Sequence, residues 1–187
     1  WENQYYFATT LPMGAAISCR EFESLPTAVQ WILKHRFNVK DMSHILDDFM
    51  FFGPANSPQF SRNLQTFFPL ADSLGLPIKT AKTIYPTTSI ELHGLTVDTN
   101  LMQLKIPEDK VTKAIDLIDS LLPMRKITLR QLQSIAGLLS FFTRALPGAR
   151  CFIRRLFDLM KGLSRPHHRI RLIAPAKADL LMWKHVL

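Results

Sequence analysis

Cysteine is scarce in this chain of 187 residues: Cys19 and Cys151 are the two it has, far apart and without metal-ligand spacing. That excludes a disulfide framework and fits a reducing, intracellular compartment, with two ordinary buried thiols to which no chemistry is assigned. No apolar stretch approaches membrane-spanning length, so no membrane is expected as a partner. Nothing at the amino end reads as a signal peptide, and the chain begins with Trp1 rather than Met, as a processed product or a piece of something longer does. No internal repeat or low-complexity tract is apparent.

Acid is scarce in one region only. Residues 125–187 carry thirteen Lys and Arg against two Asp and Glu, a balance of +11, whereas residues 1–124 carry ten against thirteen, a balance of −3; together these make the net +8. A carboxyl-terminal third this basic, with its charges interleaved among helix formers, is the electrostatic footprint of a surface that meets phosphate. Two blander readings compete with it: a solvated basic face with no partner, and a helical interaction domain that contacts an acidic protein.

With 47% hydrophobic residues the chain can bury a sizeable core and suits one domain or one and a half. Tyr5, Tyr6 and Phe7 open a β-rich run over 5–10. Ser18 with Glu21 matches a capping box, and Phe22, Leu25, Val29, Ile32 and Leu33 recur at helical spacing, which predicts a helix over 19–35 that Pro26 kinks or splits. A second helix is predicted over 57–74, closed by Gly75. Strands follow over 90–97 and 101–106, with Asp98, Thr99 and Asn100 as their turn. After Pro107 the remainder reads as all helix: 107–122, 128–146 with Thr128 and Gln131 as a capping box, 148–162 and 175–187. The fold class is α+β, with a boundary near Ile106 between a mixed part, 1–106, and a basic helical part, 107–187.

Asp47 and Asp48 sit between two apolar, strand-forming runs, Ile45-Leu46 and Phe49-Met50-Phe51-Phe52, so the pair falls in a tight hairpin turn. Two like charges this close repel unless a cation lies between them. Magnesium takes oxygen ligands and commonly combines one or two protein carboxylates with substrate phosphates. Asp is also an ordinary turn residue, and a solvated Asp-Asp tip is the plainer reading. His167, His168 and His185 lie among basic residues without acidic or cysteine partners, which fits solvated or phosphate-facing side chains.

Leu11-Pro12-Met13-Gly14 after Tyr5 and Phe7, then Ile45-Leu46-Asp47-Asp48-Phe49, then Leu74-Gly75-Leu76-Pro77 with Lys82-Thr83, then Leu92-His93-Gly94-Leu95, resembles reverse transcriptases in content and order. The similarity is greatest to the polymerases of DIRS-like retrotransposons. Leu132-Gln133-Ser134-Ile135-Ala136-Gly137-Leu138-Leu139, Pro147-Gly148 and Arg154-Arg155-Leu156 resemble the thumb and connecting helices of those proteins.

The resemblance implies a polymerase palm, an antiparallel sheet with packed helices, over 1–106, followed by an all-α thumb and connection region over 107–187. It implies that Asp47 and Asp48 are catalytic and hold Mg2+ (or Mn2+), with Asp47 the better direct ligand. Met13 and Gly14 would lie under the incoming deoxynucleotide, and Lys82 would approach its phosphates; a solvated lysine is the alternative there. His93 and Gly94 would belong to a primer grip, and Arg130, Arg144, Arg150, Arg154 and Arg155 would hold duplex backbone. The implied partners are an RNA template, a DNA primer, deoxynucleotide triphosphates and the remainder of a Pol polyprotein, with its fingers and ribonuclease H. The family's third carboxylate would precede Trp1, and Glu2 is not set in that motif. The chain by itself is therefore expected to be inactive, and a non-catalytic nucleic-acid-binding relic is the alternative reading.

Overall fold

The computed structural model describes residues 3–7, 9–55 and 57–187. Among the described residues the fold is α+β, with six α-helices and three small antiparallel sheets. The chain divides into two compact units, Trp1–Pro86 and Thr87–Leu187.

In the first unit, β1 (Met42–Ile45) and β2 (Asp48–Phe51) form a hairpin that follows α1 (Ala16–Arg36) and precedes α2 (Gln59–Ser73). Period-two alternation sets His44, Phe49 and Phe51 on one face. That face meets Phe67 of α2, whose ring centroid lies 5.0 Å from Phe49 and 5.4 Å from Phe51. Val29 and Leu33 of α1 join Met42, Phe67 and Ala71 in the same core. α2 ends at Gly75, whose φ of +69° lets the Leu76 N–H return to the Ala71 carbonyl at 2.8 Å.

Three expectations for this unit are corrected. Tyr5, Tyr6 and Phe7 lie exposed in irregular structure rather than in a strand, because β propensity makes a strand only where a ladder partner is supplied. Ala8 of that run, like Trp1, Glu2 and Asn56, lies outside the described residues. The Ser18–Glu21 capping box does not form: α1 already starts at Ala16, the Ser18 hydroxyl donates to the Pro12 carbonyl at 2.9 Å, and Glu21 pairs with Arg20 at 2.9 Å. Pro26 is accommodated inside α1 as a buried residue.

The second unit begins with a meander of β3 (Ser89–Leu92), β4 (Leu95–Asp98) and β5 (Gln103–Lys105). The strand expected over 90–97 is divided by a turn at His93 and Gly94, both at positive φ (+48° and +80°). α3 (Glu108–Leu121), α4 (Leu129–Phe142), α5 (Arg154–Asp158) and α6 (Ala174–Val186) enclose Ile118, Leu121, Ile135, Leu139, Phe142 and Trp183 in one core. The Thr128–Gln131 capping box is present: Gln131 N–H donates to Thr128 Oγ1 at 3.2 Å and Thr128 N–H to Gln131 Oε1 at 2.8 Å.

The part after Pro107 is not all helix. β6 (Lys126–Thr128) and β7 (Arg169–Arg171) pair as an antiparallel ribbon, and the helix expected over 148–162 is a 3₁₀ segment, Pro147–Ile153, followed by α5. Three-residue strands are too short to show a period, and their partners are distant in the chain. The compact units also meet at Pro86 and Thr87 rather than near Ile106. Lys110 of α3 explains this, because its ammonium bonds Glu91 at 2.7 Å and the Gly94 carbonyl at 3.1 Å, tying the meander to the helices after it. Both cysteines are exposed and free rather than buried. Among the described residues no helix is long and apolar enough to cross a membrane.

Asp98 closes the turn from β4 to β5. Its carboxylate accepts from Lys105 Nζ at 2.8 Å, from Leu101 N–H at 3.0 Å and from Asn100 N–H at 3.1 Å. The Lys105 bond foremost, then the Leu101 N–H, hold this carboxyl below the usual range against its partial desolvation. A carboxyl lowered on folding stabilises at pH values above its unfolded pKa, about 3.9, and the contribution is lost as pH falls through the lowered folded value. The Leu101 amide should therefore lose protection, relative to its intrinsic exchange rate at each pH, below about pH 4, whereas in Asp98→Asn its protection should be the same on both sides of it; hydrogen exchange by NMR across pH 3–6 checks both. Thr128→Ala should lower the unfolding free energy of the second unit by about 1 kcal/mol in a urea titration.

Candidate functional site

The register pairs Ile45 with Asp48, so Leu46 and Asp47 form a two-residue loop at the tip of the β1–β2 hairpin. Asp47 and Asp48 are both exposed. Alternation along β2 directs Asp48 to the face opposite Phe49, away from the core. Among the described residues neither carboxylate makes an ion pair with Lys, Arg or His.

The tip is strained, and it is held. Leu46 has φ +52°, a left-handed conformation that costs a non-glycine residue about 1–2 kcal/mol. Its N–H donates to Glu23 Oε2 at 3.0 Å. The other oxygen of Glu23, Oε1, lies 3.0 Å from His44 Nε2. His44 Nδ1 meets Gln30 Oε1, and Thr27 Oγ1 lies 3.4 Å from His44 Nε2. Glu23, Thr27 and Gln30 occupy i, i+4 and i+7 of α1, so one polar stripe of that helix faces the hairpin. The His44 side chain is only 9% exposed, and its ring stands 5.9 Å from that of Phe49. His44 thus packs in its strand, as a link between α1 and the turn that carries the carboxylates.

Strain of this kind persists only where surrounding contacts impose it, and it gathers at functional sites. Glu23, Thr27 and Gln30 were not among the residues expected from sequence. A three-residue polar stripe on an otherwise mixed helix was the available signal, but it names no partner until the hairpin is in place.

The other expected residues are distributed as follows. Met13 is fully exposed, just before α1. Beside it Gly14 has φ +89°, with nothing within 4 Å of where a Cβ would stand; the backbone conformation, and no close approach, calls for glycine there. Lys82 is exposed at the end of the 3₁₀ turn Thr80–Lys82 and, among the described residues, makes no ion pair. A Cβ on Gly94 would stand 3.2 Å from Phe141 Cζ and 3.3 Å from Lys110 Nζ, so its turn lies closely against α3 and α4 while His93 stays exposed. Arg130 and Arg150 are exposed, and the Arg144 guanidinium lies 5.5 Å from the Phe141 ring centroid. Arg154 sits 3.9 Å from Asp158. Arg155 is committed to structure: it pairs at 2.9 Å with Asp179, a carboxylate only 8% exposed, and so ties α5 to α6.

For a divalent cation the donor set fits in part. Two exposed carboxylates on consecutive residues supply hard oxygens suited to Mg2+ or Mn2+. Among the described residues, no group of three or more His, Cys, Asp and Glu is gathered to hold a metal ion.

No protein-family model matches the chain, and no curated protein matches it. Among solved structures it is similar to the foamy viral protease-reverse transcriptase dRH, determined in complex with double-stranded DNA, with a TM-score of 0.65 at 18% identity. The match covers 90% of this chain and 27% of that one, so the chain spans about a quarter of that protein's length. The chain shares the fold of the matched part of that structure.

Removing the carboxylate that holds the tip should release it. Glu23→Ala should speed exchange of the Leu46 amide by about tenfold, as loss of a hydrogen bond to a charged group does, and Glu23→Gln, which keeps an acceptor, by much less. NMR-detected hydrogen exchange measures both, and an unchanged Leu46 rate in Glu23→Ala would refute the clamp.

Proposed function

We propose that this chain is the palm and thumb portion of a DIRS-like retrotransposon reverse transcriptase, which in its parent protein extends a DNA primer on an RNA template. The observation that carries the reading is the Asp47–Asp48 hairpin tip, strained at Leu46 and clamped by Glu23, in a chain of reverse-transcriptase-related fold.

In this reading Asp47 and Asp48 hold Mg2+ (or Mn2+), which when bound supplies activation of a primer 3′-hydroxyl and charge stabilisation at the α-phosphate. Glu23 and His44 keep the tip in its strained form, so that both carboxylates stay in place without reorganisation as charge develops. Met13 and Gly14 lie under the deoxynucleotide, where the bare Gly14 backbone admits the sugar. Lys82, which makes no ion pair among the described residues, would meet the phosphates and give a proton to departing pyrophosphate. His93 and Gly94 sit at the primer, and Arg130, Arg144 and Arg150 contribute charge to the duplex backbone. Arg154 and Arg155, which have acidic partners of their own, contribute less. The third carboxylate of the family's site comes from the parent.

A second reading is favoured by the exposed Arg130 and Arg150, which have no acidic partner among the described residues. In it the second unit holds nucleic acid while the carboxylates do no chemistry.

The two readings part at Asp47. In the parent protein, Asp47→Asn should lower magnesium-dependent primer extension on RNA by about two orders of magnitude or more, the scale on which losing a key electrostatic group acts. In this chain the same change should weaken Mn2+ binding followed by electron paramagnetic resonance. Extension and Mn2+ affinity both unchanged would leave the non-catalytic reading standing.

A further inference from the structure

The ribbon of β6 and β7 carries an array of positive charge of which the expected thumb arginines include only Arg130. The register sets Lys126 opposite Arg171 and Thr128 opposite Arg169, with Ile127 opposite Ile170. Ile127 and Ile170 are buried, at 1% and 7% exposure, so alternation turns Lys126, Arg169 and Arg171 outward together. Backbone bonds lengthen the ribbon at both ends: Leu172 N–H to the Arg125 carbonyl at 3.0 Å, Leu129 N–H to the His168 carbonyl at 2.9 Å, and Arg130 N–H to the Pro166 carbonyl at 3.1 Å. Arg125, Arg130 and Arg165 are thereby carried alongside, and all are exposed.

None of these cations is neutralised. Residues 125–130 and 165–171 contain no Asp or Glu. Elsewhere in the unit five of the eight acids are engaged by other cations, Glu91 by Lys110, Asp98 by Lys105, Asp119 by Lys184, Asp158 by Arg154 and Lys161, and Asp179 by Arg155, and the remaining three, Glu108, Asp109 and Asp116, lie on α3 and make no ion pair with the ribbon among the described residues. Among the described residues no ion pair reaches the ribbon. Like charges directly opposite on a ladder destabilise it, so Lys126 and Arg171 face each other at a cost that an external anion would relieve.

The dimensions favour a polyanion. The three strand residues Lys126–Thr128 extend about 10 Å at about 3.3 Å each, while duplex DNA presents about one charge per 1.7 Å of its axis, so that several phosphates fall within the ribbon's length. A single small anion could answer only one or two of the cations. The outward side chains of the two strands include no apolar residue that a lipid surface would take up. We infer that the β6–β7 ribbon is a sequence-independent docking surface for the phosphate backbone of a nucleic-acid duplex. The inference rests on the proposed nucleic-acid reading and deepens it by moving the principal phosphate contact from the helix arginines to the ribbon.

The test is fluorescence anisotropy of a 20-base-pair DNA duplex titrated with the full chain over a series of salt concentrations. Lys126→Gln, Arg169→Gln and Arg171→Gln combined should flatten the slope of log affinity against log salt by about 0.9 for each phosphate contact removed and weaken binding at least tenfold. Combining Lys126→Arg, Arg169→Lys and Arg171→Lys should preserve the slope. Arg36→Gln, Lys40→Gln and Arg62→Gln, which remove equal charge from exposed sites in the first unit, should leave it nearly unchanged. Lys126→Gln alone should hold or raise the thermal midpoint, since it removes a like-charge pair. A steep slope untouched by the ribbon variants overturns the inference and leaves the nucleic-acid reading intact, as does an equal loss in the first-unit control. Failure of the unmodified chain to bind the duplex at any salt overturns both. Ribbon-dependent sedimentation with phosphatidylserine vesicles, with duplex binding unaltered by the ribbon variants, also overturns it and assigns the surface to membranes.

Discussion

The Glu23 carboxylate joins its own helix to a strand histidine and a strained turn that lie well separated from it in sequence. One of its oxygens accepts the Leu46 N–H and the other meets His44 Nε2. Leu46 is held where few non-glycine residues rest, so Asp47 and Asp48 project from a tip whose shape is imposed by α1 rather than chosen by local preference. The aromatic contact of Phe49 and Phe51 with Phe67 holds the face of the hairpin that also carries His44. The first unit is a support for two exposed carboxylates.

The second unit solves a different problem. Its core is a conventional apolar cluster around Ile118, Leu139 and Trp183, and stability there follows from burial. Its charge does not balance, and five of its eight acids are spent on internal ties such as Asp179 with Arg155 and Asp119 with Lys184. Backbone pairing gathers three of the surplus cations, Lys126, Arg169 and Arg171, on one ribbon. Exposed ion pairs add little stability, so this division of labour bears more on what the surface attracts than on how firmly the unit folds.

Much of the architecture was legible beforehand. The Thr128–Gln131 capping box, the helix ended by Gly75 and the hairpin around Asp47 are local patterns, and each is present, although the turn is one residue earlier than expected, with Leu46 and Asp47 at the tip and Asp48 opening β2. Where the reading departed from the structure, a non-local partner decided the outcome. Tyr5, Tyr6 and Phe7 had the composition of a strand and no ladder to join. Ser18 and Glu21 had the spacing of a cap and were taken instead by Pro12 and Arg20. The meander was expected to close an amino-terminal part, and Lys110 binds it to the helices that follow.

By itself the sequence determined the α+β class, the place of the carboxylate pair at a hairpin and the accumulation of positive charge after residue 124, because propensity, turn chemistry and net charge depend on near neighbours and on composition. Only the tertiary structure decided that Glu23, Thr27 and Gln30 clamp that turn, that Arg155 is spent on Asp179, and that Lys126 stands opposite Arg171. Each of those contacts joins residues well separated along the chain. Their pairing is set by which faces must be buried together and which backbone groups must find partners, and no local pattern records that.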